Sequence, residues 1–314
     1  MNSSLWRVIF FGTPLFAIPS LERLHDGPDE VIAVVTQPDR EKGRGRKRSP
    51  SPVKELALKY GIPLYQPEKV RDGSFIEAIE KLQPDLFVVA AFGQILPKSL
   101  LNLPRFGAIN VHASLLPQYR GAAPIAWALL KGEEKTGITI ILMDEGMDTG
   151  DILSQVEMPI QMEDTGETLQ MRLSALGGDL LMETIQKMKT RSIVPRPQDH
   201  SKATYAPSLK KEDGRIDWKK SAEEIDRQIR AFNPWPGAFT GWEKGLLKIF
   251  NGEVRKEVPK GEAGRVTWVG ADFIEVATGQ GSLLLKEVQP EGKRRMSVRD
   301  FLSGHRLPIG TVFH

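Results

Sequence analysis

Cysteine is absent from the 314 residues, and histidine occurs only five times. The first absence removes disulfide frameworks, Cys-ligated zinc and a thiol nucleophile. The second leaves little material for a His-rich metal site, and no metal is expected. Long apolar runs are missing too: the longest nearly apolar stretch, around Leu86 to Ile95, is too short to cross a bilayer. The opening MNSSLWRVIFFGTP has no basic stretch and no small-residue cleavage site. A cytoplasmic location is therefore expected, with no membrane and no obligate protein partner implied. Neither charge sign dominates, since 43 Lys and Arg stand against 40 Asp and Glu. The remaining composition, 40 % apolar and 26 % charged, is that of a globular chain rather than a disordered one. Its length exceeds what one hydrophobic core usually serves, so two domains are expected.

The near-neutral balance hides local structure. Residues 203–314 hold 19 Lys and Arg against 15 Asp and Glu. The segment Gln37 to Arg48, QPDREKGRGRKR, carries six basic residues and two acidic ones. It contains Gly43 and Gly45, lacks apolar periodicity and reads as a mobile cationic loop. Lys293, Arg294 and Arg295, with Arg299 and Arg306, form a second cluster. A single such cluster is as readily a solvated surface as a site. Two in different parts of the chain favour a polyanionic partner whose phosphates they neutralise.

Apolar runs at Trp6–Phe11, Val31–Thr36, Leu86–Ala91 and Ala108–Val111 predict buried strands. Helical patterns at Pro52–Tyr60 and Phe75–Leu82 alternate with them. Thr13 is placed to cap a helix opening at Pro14. This order predicts an α/β fold, a mostly parallel sheet with helices on both faces. Strands follow at Thr136–Met143 and Ile152–Ile160. The Leu spacing at Leu169, Leu173, Leu176, Leu180 and Leu181 then predicts a helix over 166–189. Thr190 to Pro207, polar and holding Pro195 and Pro197, reads as a linker. After a helix at Ser221–Phe232, short strands between Gly-rich turns predict a small β-barrel. The expected division is 1–189, linker 190–207, and 208–314.

Ligands of an open α/β sheet lie beyond the carboxyl ends of its strands. No dinucleotide or phosphate-loop glycine pattern is present there. Asn110 and His112, two apart at a strand end, point to one face of the sheet. A carboxamide donor and an imidazole suit acyl transfer to an amine, where an oxyanion develops and a proton must leave the nitrogen. For the histidine alone, a satisfied core position is the more ordinary reading. The acidic loop Met143 to Asp151 could bring a carboxylate beside His112, but the sequence does not choose among Asp144, Glu145, Asp148 and Asp151.

NVHASLLPQYRGAAPI, followed about thirty residues on by MDEGMDTGDI, resembles the 10-formyltetrahydrofolate-dependent formyltransferase family. Its Asn-x-His, Ser-Leu-Leu-Pro and D-x-G-x-D-T-G elements are all intact. The stretches FFGTPLFAIPSL, TQPDREKGRGRKRSPSPVK, TYAPSLKKEDGRIDW and RAFNPWPGAF extend the similarity to nearly the whole chain. They resemble the members that act on methionyl-initiator tRNA. The resemblance implies a Rossmann-like domain followed by an OB-like, tRNA-binding barrel. It implies Asn110, His112 and Asp148 as the catalytic trio, and Ser114, Leu115, Leu116 and Pro117 as lining for the folate. Arg40, Lys42, Arg44, Arg46, Lys47 and Arg48 are the expected tRNA contacts. The implied reaction moves a formyl group from 10-formyltetrahydrofolate to the α-amino group of the charged tRNA. Backbone near Ala91–Gly93 and Asp144–Glu145 is a further candidate for the folate. Three other outcomes stay open: a small amine as acceptor, folate hydrolysis, and a non-catalytic RNA-binding protein.

Overall fold

The computed structural model describes residues 5–42, 47–257 and 261–314. They fall into two compact units. The first comprises 1–124, 135–159 and 170–207, and the second 125–134, 160–169 and 208–314.

The elements run in chain order as β1 (Arg7–Gly12), α1 (Ile18–His25), β2 (Glu30–Val35), β3 (Arg40–Lys42), β4 (Lys47–Ser49), α2 (Pro52–Lys59), β5 (Leu64–Tyr65), α3 (Gly73–Glu80), β6 (Leu86–Ala90), α4 (Lys98–Leu101) and β7 (Ala108–His112). Then come α5 (Pro124–Lys131), β8 (Lys135–Leu142), β9 (Asp151–Pro159) and α6 (Gly166–Lys189). The first unit is built on a sheet of order β5-β2-β1-β6-β7-β8-β9. From β5 to β7 all pairings are parallel. Strands β6 and β7 are buried along their whole length, as expected of strands covered on both faces. Ile9, Phe11, Val35, Phe87 and Val89 form the centre of one packed face.

The sheet is mostly parallel, as expected, with β8 antiparallel to both β7 and β9. The connection 143–150 from β8 to β9 is too short for a parallel crossover, which needs a dozen or more residues, so that pair is antiparallel. The strand order reverses between β1 and β6, the position where such sheets bind ligands. There Thr13 does not cap a helix. Its hydroxyl donates to the Phe92 carbonyl at 3.1 Å and accepts from the Gln37 amide at 3.4 Å, tying three strand ends together. Pro14, with ψ 178°, is extended, and α1 begins only at Ile18 after a short turn.

The cationic segment is also more ordered than its composition suggests. Strands β3 and β4 pair antiparallel, Arg40 with Ser49, Glu41 with Arg48 and Lys42 with Lys47. Arg44 and Arg46 lie outside the described residues. At the hairpin's base Asp39 accepts from Lys54 Nζ at 2.7 Å and Gln66 Nε2 at 2.9 Å. Lys54 first, then Gln66, hold its carboxyl below the ordinary value.

The second unit carries α7 (Ala222–Ala231), β10 (Ala238–Trp242), β11 (Gly245–Arg255), β12 (Val266–Val269), β13 (Ile274–Ala277), β14 (Ser282–Pro290), β15 (Met296–Ser297) and α8 (Val298–Gly304). Its antiparallel sheet runs β10-β11-β14-β13-β12, with β15 beside β14. The last residues bridge the two edges: Val266 N donates to Thr311 O, and Gly241 and His314 exchange backbone hydrogen bonds. Trp218, Ile225, Ile229, Leu247, Leu285 and Phe301 fill the interior. A capping box of Ser221 and Glu224 opens α7.

Candidate active site

Strand β7 delivers Asn110 and His112 to one face, in register with Ile141 and Thr139 of β8. Both are nearly buried, 9 % and 5 % exposed. The Asn110 Nδ2 group donates to Asp148 Oδ1 at 3.4 Å. His112 Nδ1 lies 3.6 Å from Asp148 Oδ2. The other ring nitrogen, Nε2, is 3.0 Å from the Tyr119 carbonyl, which only accepts. Both ring nitrogens thus face oxygens that only accept, and the single proton of a neutral ring serves one of them. Asp148 Oδ2 also accepts from the Gly121 backbone N–H at 2.8 Å. One carboxylate thus joins β7, the turn after it and the β8–β9 loop.

That loop explains why its residue types are spaced as they are. Asp144 Oδ1 accepts from Gly146 N at 3.0 Å and from the Thr149 hydroxyl at 2.6 Å. A Cβ on Gly146 would lie 2.0 Å from that hydroxyl, and one on Gly150 would lie 1.9 Å from the Leu142 carbonyl. Asp148 has φ 53°, the left-handed region, which costs a non-glycine residue about 1–3 kcal/mol and must be held by its surroundings. Of the four acids the sequence left open, Asp148 is the one that meets His112. Asp144 folds the loop, Glu145 pairs with Lys98 at 2.7 Å, and Asp151 begins β9.

Ser114 to Pro117 form the turn after β7. Ser114 is fully buried and donates to the Gln118 carbonyl at 2.6 Å. Leu116 packs with Ile141 and Ile152, while Leu115 and Pro117 are partly exposed. Thr139 and Gln155 anchor the turn: Thr139 Oγ1 donates to Ser114 O, and Gln155 Nε2 donates to Leu116 O. At least two of these four residues therefore shape the site through backbone placement. Ala91 and Gly93, with φ of 46° and 87°, bend the chain sharply beyond β6. Arg40 donates to Gln37 Oε1 at 3.3 Å, and Arg48 stands opposite Glu41.

Residues 190–207, expected as a linker, make backbone contacts within the first unit. Arg196 and Ile152 exchange two backbone hydrogen bonds, and Arg120 is bracketed by Thr204 and Ala206. Gln198, 5 % exposed, and Arg120, 3 % exposed, meet beneath the 148–150 loop. Sequence reading missed both, because no periodicity or motif links positions 78 apart.

Two models of known families cover the chain: Formyl transferase at residues 6–185 and Formyl transferase, C-terminal domain at 208–306. The methionyl-tRNA formyltransferase of Trichlorobacter lovleyi is 51 % identical over 98 % of this chain and 96 % of its own length. That of Citrifermentans bemidjiense is 49 % identical over 97 % and 95 %. Among solved structures, HypX from Aquifex aeolicus in complex with tetrahydrofolic acid has the same fold. Its TM-score is 0.63 at 18 % identity, over 98 % of this chain and 51 % of that one. With both domain models matched in order and half of all residues shared along almost the full length, the chain belongs to the formyl transferase family, beside the methionyl-tRNA formyltransferases.

Proposed function

We propose that the protein transfers a formyl group from 10-formyltetrahydrofolate to the α-amino group of methionyl-initiator tRNA. The observation that carries the chemistry is the convergence of Asn110, His112 and Asp148 within hydrogen-bonding or ion-pair reach. The acceptor rests on the full-length similarity to methionyl-tRNA formyltransferases. The protein works in the cytoplasm, where charged tRNA is made and used.

The donor set suits a formyl oxygen. Asn110 Nδ2 makes only a 3.4 Å bond to Asp148, longer than a normal N–H···O bond, and can exchange it for a shorter one to a developing oxyanion. The formyl donor supplies the electrophilic carbon, and Ala91–Gly93, Asp144–Glu145 and Ser114–Pro117 are the segments proposed to hold it. The neutral amine attacks that carbon, a new C–N bond forms, and negative charge builds on the formyl oxygen beside Asn110. His112, its Nε2 beside the Tyr119 carbonyl and its Nδ1 facing Asp148 Oδ2, takes the amine's proton together with that carboxylate. The same proton passes to N10 of the folate as the old C–N bond breaks, and ring and carboxylate return to their starting state.

Arg40, Lys42, Arg44, Arg46, Lys47 and Arg48 are proposed to meet tRNA phosphates, with residues 208–314 as the second tRNA-binding part. The test is incubation with 10-formyltetrahydrofolate and methionyl-initiator tRNA, followed by deacylation and mass spectrometry. N-formylmethionine is expected. Formate alone would point to folate hydrolysis, and formylation of small amines but not of charged tRNA would move the acceptor. Absence of any reaction or folate binding would leave an RNA-binding protein.

A further inference from the structure

We propose that Gln198 is a positioning residue for the formyl transfer, its side-chain amide holding Asp148 in the orientation that meets His112 and Gly121. The inference rests on the assignment of Asp148 to the reaction. Gln198 lies outside both the Asn-x-His element and the acidic loop, in the polar segment that reads as a connection, yet it is 5 % exposed. Its Nε2 group donates to two backbone carbonyls, Asp148 O at 2.8 Å and Gly150 O at 2.7 Å. The pair grips the loop on both sides of Thr149.

The amide's orientation is set from behind. Gln198 Oε1 accepts from Arg120 Nε at 3.2 Å and from an Arg120 terminal nitrogen at 2.7 Å. A guanidinium only donates, so the oxygen must face Arg120 and both N–H groups must face the loop. That terminal nitrogen also lies 3.0 Å from His200 Nδ1. Arg120 is itself fixed, its backbone N–H donating to Thr204 O and its carbonyl accepting from Ala206 N. The chain of contacts thus runs from a rigid turn through Arg120 and Gln198 to the backbone of Asp148. Asp148 needs such a hold, because its φ of 53° is unfavourable for a residue with a Cβ. Once released, the residue relaxes toward ordinary backbone angles and its carboxylate leaves the Gly121 N–H and His112.

Gln198→Glu tests this role at a temperature where the variant is folded. A glutamate keeps the acceptor toward Arg120, with a charge added, and replaces both donors by an oxygen facing two carbonyls. The expected result is a folded variant with a lowered melting temperature, because a buried carboxylate oxygen now faces two carbonyls, and with KM for tRNA unchanged. The kcat should fall about hundredfold, the scale expected when a reacting group is misplaced by about an ångström. Hydrogen exchange at the Gly121 amide should accelerate in parallel, reporting the lost bond to Asp148 without reference to activity. Gln198→Met, of similar length and without donors or acceptors, carries the same test should the glutamate variant fail to accumulate. Parent-like kcat and Gly121 exchange in a folded variant would overturn the proposal. Asp148→Asn is measured alongside: if it keeps full activity, the role of Asp148 is wrong. If it is inactive while Gln198→Glu is normal in both readouts, only the clamp is wrong.

Discussion

Asp148 Oδ1 accepts from Asn110, while Oδ2 accepts from the Gly121 backbone amide and faces His112. Gly146 and Gly150 stand where a Cβ would collide with Thr149 and the Leu142 carbonyl, and so let the loop close around it. Gly150→Ala places a Cβ where the Leu142 carbonyl stands at 1.9 Å, so the β8–β9 turn must move. The variant should lose about 1–3 kcal/mol of stability in a denaturant melt, the range for a strained backbone substitution, and its kcat should fall more steeply than its affinity for tRNA. Asp148→Asn keeps the shape and removes the charge beside Nδ1. The expected outcome is a large loss in single-turnover rate with unchanged tRNA binding, read by rapid quench and by filter binding. At this scale the sequence disclosed the shared face of Asn110 and His112, because a strand's period of two fixes it. The residues alone left four acids open and only the resemblance implied Asp148, since the choice depends on how Asp144 and Thr149 fold the loop. Arg120 and Gln198 were silent for a simpler reason: their partners are far along the chain and two of the bonds go to backbone.

At the scale of elements, apolar content announced β1, β2, β6 and β7, and Leu spacing announced α6. What it could not announce was direction. Strand β8 is as apolar as the parallel strands of the sheet, and the short loop after it betrays only its antiparallel pairing with β9. Strands β3 and β4 pair through backbone groups that leave no apolar signature. Replacing Arg40, Lys42, Lys47 and Arg48 by neutral residues should weaken tRNA binding and flatten the log–log dependence of affinity on salt, because each lost phosphate contact removes part of the slope. An unchanged slope would remove the hairpin from the tRNA interface. In the second unit, Glu224 closes the capping box of α7. The Ser221 backbone N–H, then its hydroxyl, hold the Glu224 carboxyl below its ordinary value. A depressed carboxyl contributes stability above its unfolded value and loses it as pH falls through the folded one. The melting-temperature gap between parent and Glu224→Gln should therefore narrow on acidification, and Ser221→Ala should cost about 1 kcal/mol at neutral pH.

The whole molecule joins an α/β unit that carries the trio to a β-rich unit whose sequence is richer in cations than in acids. Among the described residues no helix is long and apolar enough to cross a membrane. The two-part organisation was visible as a change from alternating strands and helices to short strands with glycine turns. The inclusion of residues 125–134 and 160–169 in the second unit was not, because both stretches continue helices or loops of the first without a break in composition. The central claim is that Asn110, His112 and Asp148 together transfer the formyl group to a charged tRNA. Its most direct test is the single-turnover formylation rate of methionyl-initiator tRNA, at saturating protein and formyl donor, for the parent and Asn110→Ala. The account predicts N-formylmethionyl-tRNA from the parent and a rate about 10²–10³ lower in the variant, the usual cost of one oxyanion donor, with tRNA affinity preserved. Equal rates in the two proteins would contradict it.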